Sequence, residues 1–321
     1  MRYFVQKFIQ LVIVVFAVTF TVSLALSAVP NSKQRIIAAK GGGAITKADQ
    51  DKLLDSLHLN DSAIKQYGYF IKDFATGNWG VTFNGNQSVR TSIADGLKVS
   101  GRLMIYAQIM ALLLAIPIAI AAAYKQGGLF DRFTTTVSFG LLSTPNFILA
   151  PLLILFFAIR WHIFGARSEN VPFFPSPLTH FKNFFLPTVV LAMPLAATYM
   201  RLLRADLVNT LQSDFITTAR AKGMSTNRIL FGHALRPSMF SLMTAAAVNV
   251  GALVGGSIVV EAAFGLNGLG LKTVIGIFAN EFRLVQITVV VLALVYVLIN
   301  FFVDIAYGWL DPRVRAARTL S

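Results

Sequence analysis

Asp214-Phe215-Ile216-Thr217-Thr218-Ala219-Arg220-Ala221-Lys222-Gly223-Met224-Ser225 lies inside a polar break, residues 201–236, that separates two long apolar runs. Six of the chain's 28 Lys/Arg residues fall in this break, against two acids, Asp206 and Asp214. Ser213 or Asp214 suits a helix N-cap, since either side chain accepts from an exposed backbone N–H. Phe215 to Lys222 are compatible with helix, and Gly223 suits the position just past its end, where left-handed backbone angles are needed. Ser225 then caps a second helix toward Leu235. Pro237 biases Arg236 away from helix and fits the first turn of the next apolar helix. The break therefore reads as helix, glycine turn, helix, proline, membrane helix: a folded element that projects from a bilayer. The competing reading is a solvated cationic loop that merely keeps to one side of the membrane.

The bilayer enters through composition. The chain has 321 residues, of which 55% are hydrophobic and 13% charged. That charged share is about half the ~25% of soluble domains. Six apolar runs stand out, at roughly 8–29, 103–124, 133–159, 184–203, 238–260 and 284–305. Each is long enough to cross the ~30 Å hydrocarbon layer as a helix. Helix is preferred over strand because the runs are continuously apolar rather than alternating. The expected fold is all-α and polytopic, with six transmembrane helices. Pro117, Pro145, Pro151, Pro187 and Pro194 fall inside the runs, either as simple kinks or as functional breaks. The formal charge of +14 raises nucleic acid as a partner. The cations instead sit in short polar breaks, as membrane topology demands, so no nucleic acid is expected. Cysteine is absent, which excludes disulfides and thiol chemistry.

With six crossings, four cation-bearing segments share one side: Arg2 and Lys7, Lys125 and Arg132, the 201–236 break, and the tail with Arg313, Arg315 and Arg318. That side is the cytoplasm, and both termini lie there. The chain divides into an N-terminal helix (1–29), an outer segment (30–102) and a five-helix core (103–321). The first run ends in Ala25-Leu26-Ser27, which also resembles a cleavage site, but its length favours a retained helix. In the outer segment Gly41-Gly42-Gly43 forms a flexible break. Thr46 and Asp49 resemble a capping box, and Leu53, Leu54 and Leu57 give a short helix an apolar face. Tyr67, Tyr69, Phe70, Phe74, Trp79 and Phe83 then make either a small packed subdomain or a docking surface for an outside partner.

Signatures of chemistry are sparse. Gly265-Leu266-Asn267-Gly268-Leu269-Gly270 is followed by Leu271 and only then Lys272-Thr273, one residue late for a phosphate loop, and reads as a glycine-rich turn on the outer side. His58, His162, His180 and His233 are scattered in polar breaks without metal-ligand spacing. The spans carry almost no ionisable residue, Asp304 lying only at an end, which disfavours proton- or sodium-coupled transport. Gln108, Asn146, Asn249, Gln286 and Asn300 are neutral and polar. They either line a transient watery pathway, the first four being its candidates, or make ordinary interhelical hydrogen bonds. Gly251-Ala252-Leu253-Val254-Gly255 allows close helix contact.

Thr217-Thr218-Ala219, three residues, then Gly223 resembles the E-A-A-x-x-x-G loop of ABC-importer permeases, with Thr217 and Thr218 departing from it. The match is closer to the oligopeptide/dipeptide/nickel branch, whose loop looks like D-[YF]-[VI]-x-T-A-R-A-K-G-[LM]-S…H-A-L-R, completed here by His233-Ala234-Leu235-Arg236. Leu57-His58-Leu59-Asn60 through Gly77-Asn78-Trp79-Gly80 is similar to that branch's outer segment. Val260-Glu261-Ala262-Ala263-Phe264 with Gly268-Leu269-Gly270, Asn300 to Asp304, and Leu310 to Arg315 resemble its other signatures. The long outer segment points to the first-named, "B", permease of a pair. This resemblance implies the type I ABC-importer permease architecture, peptide import by alternating access, and a coupling helix at Asp214–Ser225. It implies a second homologous permease, two cytoplasmic ABC ATPase subunits or domains that bind the ATP and Mg, an extracytoplasmic substrate-binding protein and a peptide substrate. No cofactor and no catalytic or metal-binding residue are expected in this chain. The alternatives are a stand-alone secondary transporter or channel, or nickel in place of peptide.

Overall fold

The computed structural model describes residues 2–40, 46–56, 58–82, 87–174 and 176–310. The tail cations Arg313, Arg315 and Arg318, the Gly41-Gly42-Gly43 break, Leu57 and Phe83 lie outside them. The helices are α1 (Arg2–Ser27), α2 (Ser32–Lys40), α3 (Lys47–Ser56), α4 (Ala63–Thr76), α5 (Val89–Tyr124), α6 (Leu129–Ser143), α7 (Asn146–Leu153), α8 (Pro177–Leu211), α9 (Asp214–Ala221), α10 (Leu235–Phe264), α11 (Leu269–Phe278) and α12 (Phe282–Leu310). A π-helical turn, Ile154–Arg160, continues α7, and another, Arg228–Ala234, leads into α10. The described residues hold no strand, only an isolated bridge between Val81 and Ser88. Five helical stretches are long and apolar enough to span a membrane: Phe8–Ser27, Val89–Tyr124, Pro177–Leu211, Arg228–Phe264 and Phe282–Val303.

The run expected as one continuous helix at 133–159 is broken. It forms Leu129–Ser143 and Asn146–Arg160, bent by 105°. The cause is local. The residue before a proline is disfavoured in helix, and Thr144, before Pro145, is extended at φ −95°, ψ 110°. A sixth span exists if the bent pair counts as one. Where the run at 103–124 was expected, α5 has 36 residues and starts at Val89. At 1.5 Å per residue it is about 54 Å long, well beyond the ~30 Å layer. Likewise α8 starts at Pro177, which puts His180 in a helix rather than a polar break.

The chain forms two compact units, one of residues 1–100 and 266–302, the other of 101–265 and 303–321. In the first, Tyr67 and Thr19 share a hydrogen bond of 2.8 Å, and Phe20 meets the Tyr67 ring edge-on. The Thr46 hydroxyl accepts the Asp49 N–H, one half of a capping box, and donates to the Asp49 carboxylate, where the full motif has that side chain accept from the backbone N–H of Thr46. Ile36, Leu53, Leu54 and Phe70 are buried beneath, and Trp79 stacks on Phe74 while its indole N–H donates to the Phe74 carbonyl. The first turns of α5 carry Ser92, Gly96 and Ser100 along one side, toward α11. Lys272 Nζ donates to Ser92 Oγ and Leu269 N to Ser100 Oγ. A Cβ at Gly96 would sit 2.9 Å from Lys272 Cε, so a larger residue would have to displace the lysine stem, and burial there lowers the lysine's pKa. The segment 265–270 is thus a turn that opens α11, a short apolar helix missed in the sequence.

The second unit is built on α8, whose buried side includes Phe184, Val190, Leu203 and Leu207 and which packs against α6, α7 and α10. His180 is fully buried, with Nδ1 2.6 Å from the Val171 carbonyl and Nε2 3.0 Å from Tyr106 Oη. On α10 Gly251 is buried, and a further close approach falls at Gly256, one place past the stretch 251–255. A Cβ there would meet Leu191 at 3.2 Å and Asn146 at 3.5 Å, whereas Gly255 faces open space.

Candidate functional site

The second unit holds the element on which the sequence concentrates its signals. After α8 the chain turns at Gln212-Ser213 and makes α9, Asp214–Ala221. Ser213 occupies the N-cap position with extended angles, but its hydroxyl makes no cap bond. It donates instead to the Thr210 carbonyl at 2.6 Å, finishing α8 rather than starting α9. The expected side-chain cap at Ser213 is therefore absent. The Ser213 carbonyl accepts from Ile216 and Thr217. Asp214 in the first turn and Arg220 in the last oppose the helix dipole favourably.

The far end matches expectation. Gly223 takes φ +75°, its N–H donates to Arg220 O and that of Met224 to Ala219 O. This is a Schellman closure. A Cβ at Gly223 would touch nothing, so the requirement is one of backbone angle alone. Ser225 O accepts from Ile229 N. From Arg228 the chain runs through a π-helical turn directly into α10. Arg236 is therefore helical, contrary to the expected interruption before Pro237. The wide turn, in which Leu235 N donates five residues back to Leu230 O, loosens the ladder just before the proline.

α9 is amphipathic and packs on the π-helical turn. Ile216 and Ala219 are buried beside it, as are Ile229 and Leu230. Its other face is open: Phe215 is 51% exposed, and Thr217, Thr218, Arg220, Ala221 and Lys222 are exposed with it. A phenylalanine held out beside two cations on a helix about 12 Å long makes a small, rigid, mixed surface.

What anchors this element was not read in the sequence. Arg204, two turns before the end of α8, pairs in two-pronged fashion with Asp131 of α6: Nε donates to Oδ1 at 2.6 Å and Nη2 to Oδ2 at 2.7 Å. Gly127 N adds a third bond to Oδ2, and Asp131 is only 3% exposed. Thr210 and Ser238 share a hydrogen bond that joins α8 to α10 at the root of the projection. Asp131 is the lone acid in a break whose cations drew attention, and no local spacing links it to a residue 73 positions away.

The polar residues proposed for a pathway divide between the units. Gln108 bridges α5 to two neighbours, accepting from Tyr199 Oη at 3.1 Å and donating to Ala246 O at 3.3 Å. Asn249, one turn from Ala246, donates to Ala245 O in its own helix, and Asn300 does the same to Tyr296 O. Asn146 starts α7 beside Gly256. Gln286 lies in the first unit, on the wall of a cavity.

These elements define the class: an all-helical, multi-pass membrane protein. Residues 115–316 match the family described as "Binding-protein-dependent transport system inner membrane component". Over 98% of both chains it is 30% identical to the dipeptide transport system permease protein DppB of Bacillus subtilis. It is 29% identical to a probable peptide ABC transporter permease protein of Sinorhizobium fredii, covering 98% of this chain and 99% of that one. It is 32% identical to the oligopeptide transport system permease protein OppB of Haemophilus influenzae, over 80% of this chain and 82% of that one. The chain belongs to the binding-protein-dependent transport system inner membrane component family, as its loop and its other motifs anticipated.

Proposed function

We propose that this chain is a membrane subunit of an ATP-driven peptide importer and that α9 is its coupling helix. The observation that carries this is the exposed face of α9, with Phe215, Arg220 and Lys222 on a helix closed at Gly223, in a chain of a binding-protein-dependent transport family. Two cytoplasmic ATPase subunits bind ATP and Mg and grip α9. A second permease completes the pathway, and an external binding protein delivers the peptide. ATP-driven closure of the ATPase pair opens the pathway outward through Asp214–Ser225, and hydrolysis resets it. The names of the dipeptide and oligopeptide permease relatives support peptide as the substrate.

The anchoring of α9 supports force transmission. A bidentate buried pair and a hydroxyl bridge tie the projection to α6 and α10, so a pull on α9 reaches several helices. The same pair supports six crossings with cytoplasmic termini. Asp131 opens α6 and Arg204 lies near the close of α8, so these two ends sit at one level.

Gly223→Pro or deletion of Thr217 to Lys222 is expected to abolish uptake and co-purification of the ATPase while leaving membrane insertion intact. Normal uptake by either variant would refute the coupling role. A wild-type chain that transports alone in proteoliposomes, with no nucleotide-binding subunit, would favour a secondary transporter instead.

A further inference from the structure

The first unit contains a cavity of about 450 Å3 between the end of α1, α2, α3, α4 and the start of α12. Its volume falls in the ~300–1,000 Å3 range of small-molecule sites. Its wall carries apolar side chains, Leu26, Ile36, Leu53 and Phe70, together with Arg283, Asp73, Lys33 and Gln286. A cavity lined by apolar groups and by charges of both signs has the composition of a site for a small zwitterion.

The state of Arg283 distinguishes this wall from a structural ion pair. The Asp131–Arg204 pair uses two guanidinium nitrogens and both carboxylate oxygens. Arg283 and Asp73 do not. Nη2 of Arg283 alone makes both bonds, to Asp73 Oδ2 at 2.8 Å and to the Asn78 carbonyl at 3.2 Å. Nε and Nη1 make neither of them, so both keep N–H donors for a further acceptor. Asp73 likewise engages Arg283 through Oδ2, which leaves Oδ1 for a second cation. Arg283 lies 5.6 Å over the Phe70 ring, and Asp73 holds it as well, so it does not need to be ordered by the ligand. Lys33 is exposed and makes one bond, to Asn60, with donors to spare.

We infer that this cavity receives short peptides with free termini, the carboxylate on Arg283 and Lys33, the ammonium on Asp73, and one side chain against Phe70 and Leu53. The inference rests on the peptide-import reading and adds a substrate station on the permease itself, on its outer segment. A site of this volume holds roughly two or three residues. Gln286, one turn beyond Arg283 on α12, is placed to bond the peptide amide.

The test uses the assembled transporter in lipid nanodiscs without its binding protein. Saturation-transfer NMR reports binding of alanyl-phenylalanine and of its N-acetylated, C-amidated analogue. Saturable binding is expected for the free dipeptide and about tenfold weaker binding for the blocked one. Arg283→Gln is expected to weaken the dipeptide about tenfold. Lys33→Gln, at an exposed side chain that carries no fold, is expected to weaken it several-fold. Equal binding of the two probes, or undiminished binding by both variants, overturns the inference. Uptake of the same dipeptide is measured with the binding protein added. Uptake without saturable binding to the nanodisc sample overturns the inference and leaves the import reading standing. No uptake of any peptide removes the import reading and the inference with it.

Discussion

Arg204 and Asp131 meet where an apolar chain affords few charges, so each depends on the other. Asp131 is almost wholly buried and three quarters of the Arg204 side chain is covered. Removing one partner of such a pair leaves a desolvated charge and costs about 3–5 kcal/mol. The partial exposure of Arg204 places this pair near the lower end, since water screens the remaining charge. Asp131→Asn and Arg204→Gln are each expected to destabilise the detergent-solubilised protein by about 3 kcal/mol. The double variant is expected to be less damaged than the sum, because its amides still bond without a bare charge. Denaturant unfolding of the four proteins checks this. Strict additivity would mean that the two groups do not stabilise each other. Gly223 makes the contrast in legibility. Its role follows from one residue and its neighbours, since a left-handed cap after an eight-residue helix is a local requirement. The Asp131 partnership is nonlocal, and nothing near Asp131 encodes it.

At the scale of elements, hydropathy reads where apolar segments are and reads poorly how they end. The run at 133–159 is apolar without interruption, yet it bends by 105° at Thr144-Pro145. Pro151, also inside that run, does not break α7, and Pro187 and Pro194 sit within α8. A proline's effect is thus decided by whether its neighbours re-satisfy the freed carbonyls, which the sequence does not state. Pro237 was expected to interrupt the helix at Arg236 and to sit in the first turn of the next; it lies in the first turn of α10, but Arg236 is helical and a π-helical turn leads into it. The polar start of α5 was assigned to the outer segment because its charges hide a helix that continues into the apolar run. If Pro145 itself causes the bend, Pro145→Ala straightens the pair. Spin labels at the exposed positions Val137 and Leu155 measure this. Their separation is expected to lengthen toward the roughly 27 Å of 18 helical residues. An unchanged distance would assign the bend to packing against α8 and α10.

For the whole molecule, the bent pair decides the topology. If it enters and leaves by one face, the chain crosses five times, and the breaks on either side of α6–α8 fall on opposite faces. If it crosses, they share a face. Charge favours the second case, since otherwise the six cations of 201–236 would lie outside, against the positive-inside bias. Geometry argues the same way. Gln212 at the end of α8 donates to Gln126 before α6 at 3.5 Å, and Arg204 reaches Asp131, contacts that cannot bridge a ~30 Å hydrocarbon layer. Because the chain has no cysteine, single cysteines report accessibility without background. In intact cells a membrane-impermeant maleimide is expected to label Lys65→Cys and to spare Gln126→Cys and Ala221→Cys, all three at exposed positions. After the membrane is opened, all three are expected to react. Labelling of Ala221→Cys but not Gln126→Cys from outside would make the bent pair re-entrant. It would also put α9 on the outer face, where no cytoplasmic ATPase can reach it.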